Sequence, residues 1–149
     1  MKLKDLTELS KQEFIKKHPT NPYPFGTKYS DKKANGLTKA IVDFIRFLGG
    51  YSDRINNMGV YRAGKTIDRY HEVLVEKGKW TPSGSRKGIA DIMGSYKGKM
   101  LAIEVKIGKD RMSEHQAIIQ NEVNASGGVY IIARTWEQFY NEWIKHFPV

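Results

Sequence analysis

From Leu101 to Ile107 apolar and polar positions alternate: Leu101, Ile103, Val105 and Ile107 fall on one side, and Glu104 and Lys106 are neighbours on the other. Successive strand residues face opposite sides of a sheet, so this pattern predicts a strand with a buried apolar row and a displayed charged pair. Upstream, Lys87 to Gly94 reads as another short strand, Gly94 to Gly98 as a turn, and Lys99-Met100 as the opening of the next strand. An antiparallel hairpin built this way sets Asp91 beside Glu104.

The rest of the chain supplies helices and two further strands. Ile41, Phe44, Ile45 and Leu48 recur at helical spacing and predict a helix over about 37–48, stopped by Gly49-Gly50. Tyr51 to Asn56 follows as a strand with Arg54 and Asn56 on one side. Ser113 is an N-cap candidate with Gln116 three residues later, as in a capping box, and opens a helix that runs to Ala125. Gln116 shares its stripe with Ile119, Gln120 and Val123, so its amide either caps its own helix or reaches a scissile phosphate or an attacking water. Val129 to Ala133 has the short apolar run of a buried strand, connected through that helix by a crossover. Trp136, Phe139, Tyr140 and Trp143 then return at helical spacing as a core face. The resulting order is an α/β domain of three layers around a mixed sheet.

Two stretches are less regular. Residues 1–35 are polar and basic, with a short helix expected around Ser10 to Lys17 and a break across Pro19 to Gly26, and read as an N-terminal arm. Tyr23, Phe25 and Tyr29 in it either stack on nucleic acid or pack against the core. Between Asn57 and Trp80, punctuated by Gly59, Gly64 and Gly78, the pattern fits a hairpin or an irregular insertion that shapes a substrate site. His71 has no second histidine or cysteine at ligand spacing, which argues against a metal role.

Composition narrows the chemistry. At 149 residues the chain suits one domain, and without cysteine it has neither disulfides nor thiolate metal sites, which makes a reducing cytoplasm the simplest setting. The N-terminus lacks the apolar core of a signal peptide, and no apolar run approaches a membrane span. No phosphate-binding G-x-x-x-x-G-K-[ST] pattern is present, so no nucleotide cofactor is expected. A formal net charge of +9 and a pI near 9.6 favour a polyanionic partner. Arg86 and Lys87 run into Asp91, and Lys109 and Arg111 flank the loop after Lys106, so cations cluster around the acids. Two converging carboxylates make a hard oxygen site of the type Mg²⁺ favours, where a metal polarises phosphate and acidifies water. Lys106 is placed to orient that water or offset developing charge. Against this stands the plain alternative of an exposed Glu-Lys pair on a basic surface, which contributes little.

Gly88-Ile89-Ala90-Asp91, Ile103-Glu104-Val105-Lys106, Ser113-Glu114-His115-Gln116 and Gly127-Gly128-Val129-Tyr130-Ile131-Ile132, in that order, resemble the PD-(D/E)XK nuclease superfamily and most its VRR-NUC branch. The resemblance covers the last two-thirds of the chain. It implies a restriction-endonuclease-like core in residues 36–149 and a divalent-metal-dependent endonuclease acting on DNA. Its metal, Mg²⁺ with Mn²⁺ able to substitute, would be held by Asp91, Glu104 and the Val105 carbonyl, with Lys106 as the catalytic lysine and Gln116 as the helix-borne polar residue. Arg54 and Asn56 would be phosphate contacts beside Arg86, Lys87, Lys109 and Arg111. Compact members of this branch resemble phage or mobile-element proteins, including junction-cutting nucleases, which implies a bacterial or phage-infected cell. Cutting two strands with so small a domain suggests a homodimer. Two departures matter: Ala90 stands where the superfamily has proline, and residues 35–39 lack the glutamate often carried on the first core helix, with Asp43 further along it. The competing expectations are a non-catalytic nucleic-acid-binding module that keeps the fold and an adaptor for an acidic partner.

Overall fold

The computed structural model describes residues 1–56, 59–67, 70, 73–82 and 84–148, with side chains for all of these except 63, 65–67 and 73–77. Ten elements follow in order: α1 (Leu3–Lys17), α2 (Ala34–Phe47), β1 (Tyr51–Arg54), β2 (Val60–Ile67), β3 (Val73–Thr81), β4 (Ile92–Tyr96), β5 (Lys99–Val105), α3 (Glu114–Ala125), β6 (Val129–Ala133) and α4 (Trp136–His146). They form two compact units, Met1–Ile55 with Lys87–Val149, and Asn56–Arg86. His71 lies outside the described residues.

The larger unit is a mixed α/β structure around a four-stranded sheet of order β1-β4-β5-β6. β4 runs antiparallel to β1 and β5, while β6 is parallel to β5, which the crossover through α3 permits. Strand alternation divides the core. Leu101, Ile103 and Val105 of β5, with Val129, Ile131 and Ala133 of β6, meet Leu37, Ile41, Phe44 and Ile45 of α2 and the aromatic face of α4. On the other face Ala102 and Tyr130 meet Ala90 and Ile119 and Val123 of α3. Phe44 sits edge-on to Trp136 and Trp143, at centroid distances of 5.5 and 5.3 Å, a geometry that suits the ring quadrupoles.

Because α3 covers the second sheet face, the Glu104–Lys106 pair expected on display is buried, at 3% and 6% exposure. Alternation identified the face correctly, but a crossover helix turns a polar-looking face inward. The β4–β5 turn is also shorter than Gly94 to Gly98. It is Lys97-Gly98, both at positive φ, as a two-residue hairpin turn requires. Gly94 belongs to β4, where a Cβ would run into Tyr51 and Ser52 of β1. β4 starts at Ile92 and not at Lys87, and β1 ends at Arg54.

The stretch 1–35 is built into the larger unit, and the chain divides at 55/56 and 86/87 instead of at 35/36. α1 spans 15 residues, longer than expected, and Leu6 is fully buried in the main core. The extended segment after it is tied down by Thr27 N–H donating to Ser10 Oγ (2.7 Å) and Tyr29 Oη donating to Asp43 (2.9 Å). Trp136 closes the arrangement, its N–H donating to Asp31 and its indole N–H to the Met1 carbonyl. Of the three aromatics, Tyr29 packs on the core, whereas Tyr23 is exposed. Since Leu6 is a core residue and not part of a tail, Leu6→Ala should lower the unfolding free energy of the larger unit by about 2–5 kcal/mol in a denaturant titration. Fraying of the first helix alone, with an unchanged midpoint, is the outcome expected of an arm.

Candidate functional site

The β4–β5 register pairs Ile92 with Ile103, so the next position along puts Asp91 against Glu104. Asp91 lies just before β4 and is fixed from two sides. Its carbonyl accepts Ile55 N–H (2.8 Å), and its Oδ2 accepts Val105 N–H (3.0 Å). Both acids point to the face covered by α3.

Gln116 reaches this pair from the first turn of α3. Ser113 Oγ accepts Gln116 N–H and Gln116 Oε1 accepts Ser113 N–H, completing the capping box, while Gln116 Nε2 donates to Glu104 Oε1 (2.5 Å). One amide thus caps its helix and grips the acid. The approach is set by Gly88 at φ +82°, where a Cβ would collide with the backbone of His115 and Gln116. That glycine lets the segment before Asp91 lie directly on the helix start.

Lys106 follows the end of β5, held by its N–H on the Ala133 carbonyl, and its Nζ lies 3.1 Å from Glu104 Oε1 and 3.3 Å from Asp110 Oδ2. Burial works to lower the Lys106 pKa, but the two carboxylates outweigh it and hold the ammonium above its ordinary value. Glu104 is pushed up by burial and then by the charge of Asp91, with Lys106 opposing. Glu104 Oε2 is buried with no hydrogen-bond partner among the described residues.

Two participants escaped the sequence reading. Asp110 shares Lys106, and its only signal was the i,i+4 spacing to that lysine. Tyr130 was absorbed into an apolar strand. Its hydroxyl is buried without a partner among the described residues, and burial, then the charges of Glu104 and Asp91, push its pKa up.

Of the expected phosphate contacts, Lys87, Lys109 and Arg111 are exposed on the segments that lead into Asp91 and out of Lys106. Arg54 is exposed but pairs in register with Ile92 and lines a pocket with Asn35, Lys39 and Asp43, on the α2 side of the sheet and not on the face of the acids. Strand parity, which separates residue 54 from 55, is the reason. Asn56 and Arg86 are exposed residues of the smaller unit. Asp43 does not join the acids: its Oδ2 accepts from Tyr29 and from Lys39 Nζ (2.7 Å).

Two carboxylates that repel each other, one with a buried oxygen that has no hydrogen-bond partner among the described residues, and the Val105 peptide anchored to Asp91 are oxygen donors of the hard type that divalent cations take. No cluster of three His, Cys, Asp or Glu that could hold a metal occurs among the described residues. No helix among the described residues is long and apolar enough to cross a membrane. No known family model matches the chain, and no curated protein matches it.

Two outcomes follow from this geometry. Gly88→Ala should cost about 1–3 kcal/mol through its positive φ and clash, and should weaken any activity of the site because Asp91 and Gln116 lose their spacing; thermal melts and an assay on the folded variant check this. Glu104 binds its proton more tightly folded than unfolded, so its stabilising contribution is full below the ordinary glutamate pKa and is lost as pH rises through the raised value. The stability of Glu104→Gln relative to the native protein should therefore increase with pH across that window, as measured by denaturation at several pH values without divalent metal.

Proposed function

We propose that the chain is a divalent-metal-dependent nuclease that hydrolyses DNA phosphodiester bonds, with structure-specific cutting of branched or junction DNA as its activity. The proposal includes a restriction-endonuclease-like core of the VRR-NUC type. The observation that carries it is the buried Glu104 carboxylate across from Asp91, fixed through one oxygen by Lys106 and Gln116, with the other oxygen buried and without a hydrogen-bond partner among the described residues. A surface Glu-Lys pair has no such burial, helix-borne donor or adjacent acid.

Asp91, Glu104 and the Val105 carbonyl would hold Mg²⁺ or Mn²⁺. Bound there, the ion supplies Lewis-acid stabilisation to phosphoryl oxygens and makes water a better nucleophile. Lys106, kept protonated by Glu104 and Asp110, presents a fixed positive charge to the phosphate as negative charge builds up. Gln116 holds Glu104 in place while the capping box holds Gln116. Lys87, Lys109 and Arg111 supply backbone contacts that fix the strand. Action on both strands is assigned to a homodimer.

A second reading, a binding module without catalysis, draws support from Asp43 being committed to Tyr29 and Lys39 and so leaving α2 without a third acid for the metal. Incubation with linear, nicked, flapped and four-way-junction DNA in Mg²⁺ or Mn²⁺ separates the two. Under the nuclease reading, cleavage needs the metal, is lost by about 100-fold or more in folded Glu104→Ala and Lys106→Ala, and falls away as pH drops through the raised Glu104 pKa. Salt-sensitive binding with no cleavage in any metal supports the module.

A further inference from the structure

The smaller unit, Asn56–Arg86, holds β2 and β3 as an antiparallel two-stranded ribbon. Tyr61 and Trp80 are direct cross-strand partners and share a face, yet they stay 61% and 56% exposed. The residues diagonal to them on that face are glycines: a Cβ on Gly59 would strike the Trp80 indole, and one on Gly78 would strike the Tyr61 ring. Each ring therefore lies close over glycine backbone while more than half of the residue's surface stays open to solvent. On the opposite face Arg62 and Lys79 are also direct partners, both exposed. Like charges placed across a strand pair repel, and an anion between or beside them removes that cost. Basic residues outnumber acidic ones in this segment.

Covering glycine with an aromatic ring stabilises a ribbon, and two strands alone are marginal in water. That role needs one side of each ring and no cations. The exposed aromatic pair on a ribbon rich in cations matches a polyanion that carries flat, unstacked aromatic groups. We infer that the β2–β3 ribbon is a binding site for unpaired nucleotides, with bases stacking on the Tyr61 and Trp80 face and the basic residues of the ribbon, Arg62 and Lys79 on its other face among them, attracting the strand by their charge. A regular duplex keeps its base faces stacked internally and offers only the phosphates, so the site selects single-stranded or splayed segments. The inference rests on the proposal that this chain acts on DNA, and supplies that reading with a device for recognising flaps and junction openings.

Trp80 is also its own reporter. The chain has three tryptophans, and the other two, Trp136 and Trp143, are 3% and 2% exposed in the main core. The full-length native protein, in buffer free of divalent metal, is titrated with a single-stranded oligothymidylate and separately with a duplex of equal length while tryptophan emission is followed. The expected result is salt-sensitive quenching of the exposed component by the single strand at concentrations where the duplex quenches little. Trp80→Phe should bind labelled single strand like the native protein. Trp80→Ala and Tyr61→Ala should bind it about 5- to 100-fold more weakly. Unquenched Trp80 with bound single strand would overturn the inference, as would shielding of Trp80 by rising protein concentration alone, which assigns the face to a second copy. Cleavage that needs Glu104 with unquenched Trp80 sinks the ribbon site and leaves the nuclease; quenching without cleavage in any metal does the reverse.

Discussion

A carboxylate taken out of water beside another carboxylate is the constraint on which the larger unit turns. Glu104 loses hydration at the end of β5, and Asp91 adds repulsion from the neighbouring strand. What makes this tolerable comes from three groups on two parts of the chain: the Lys106 ammonium just beyond β5, the Val105 N–H at the end of β5 that holds Asp91 in place, and the Gln116 amide on the first turn of α3. Each depends on the sheet being registered as it is. A one-residue slip would exchange Glu104 with Ile103 and send the acid into the apolar layer under α2.

Much of that arrangement was legible in the amino acids. Period-two alternation in β5 put Glu104 and Lys106 on one face, and the hairpin geometry put Asp91 opposite Glu104, because both follow from strand parity and need no tertiary information. The aromatic spacing of α4 and the capping box of α3 are equally local signals. For Gln116 the capping signal is local and the structure shows it, while the hydrogen bond from its Nε2 to Glu104 depends on how α3 packs on the sheet.

The failures share a cause, in that each required knowing what packs from far along the chain. α1 is polar enough to resemble a tail, and Leu6 becomes core because α1 packs against α2 and joins the main cluster. Gly94 looked like turn chemistry until β1 is seen to press against it. Tyr130 read as one more apolar strand residue, although its ring end is held near two acids. Asp110 sat in a polar loop with nothing to distinguish it from Lys109 and Arg111 except where Lys106 points.

The chain leaves the sheet after β1 and returns before β4, two strands that pair with each other, so the core is assembled from pieces separated by a self-contained ribbon. The entropy of closing such an excursion grows only with the logarithm of its length, at about 0.6 kcal/mol per doubling. Insertions at this junction are therefore cheap for the fold, and the ribbon can be lengthened, shortened or exchanged while the strands on either side keep their register. The sheet and its acids thus serve as a chassis, and the excursion is an exchangeable part mounted on it.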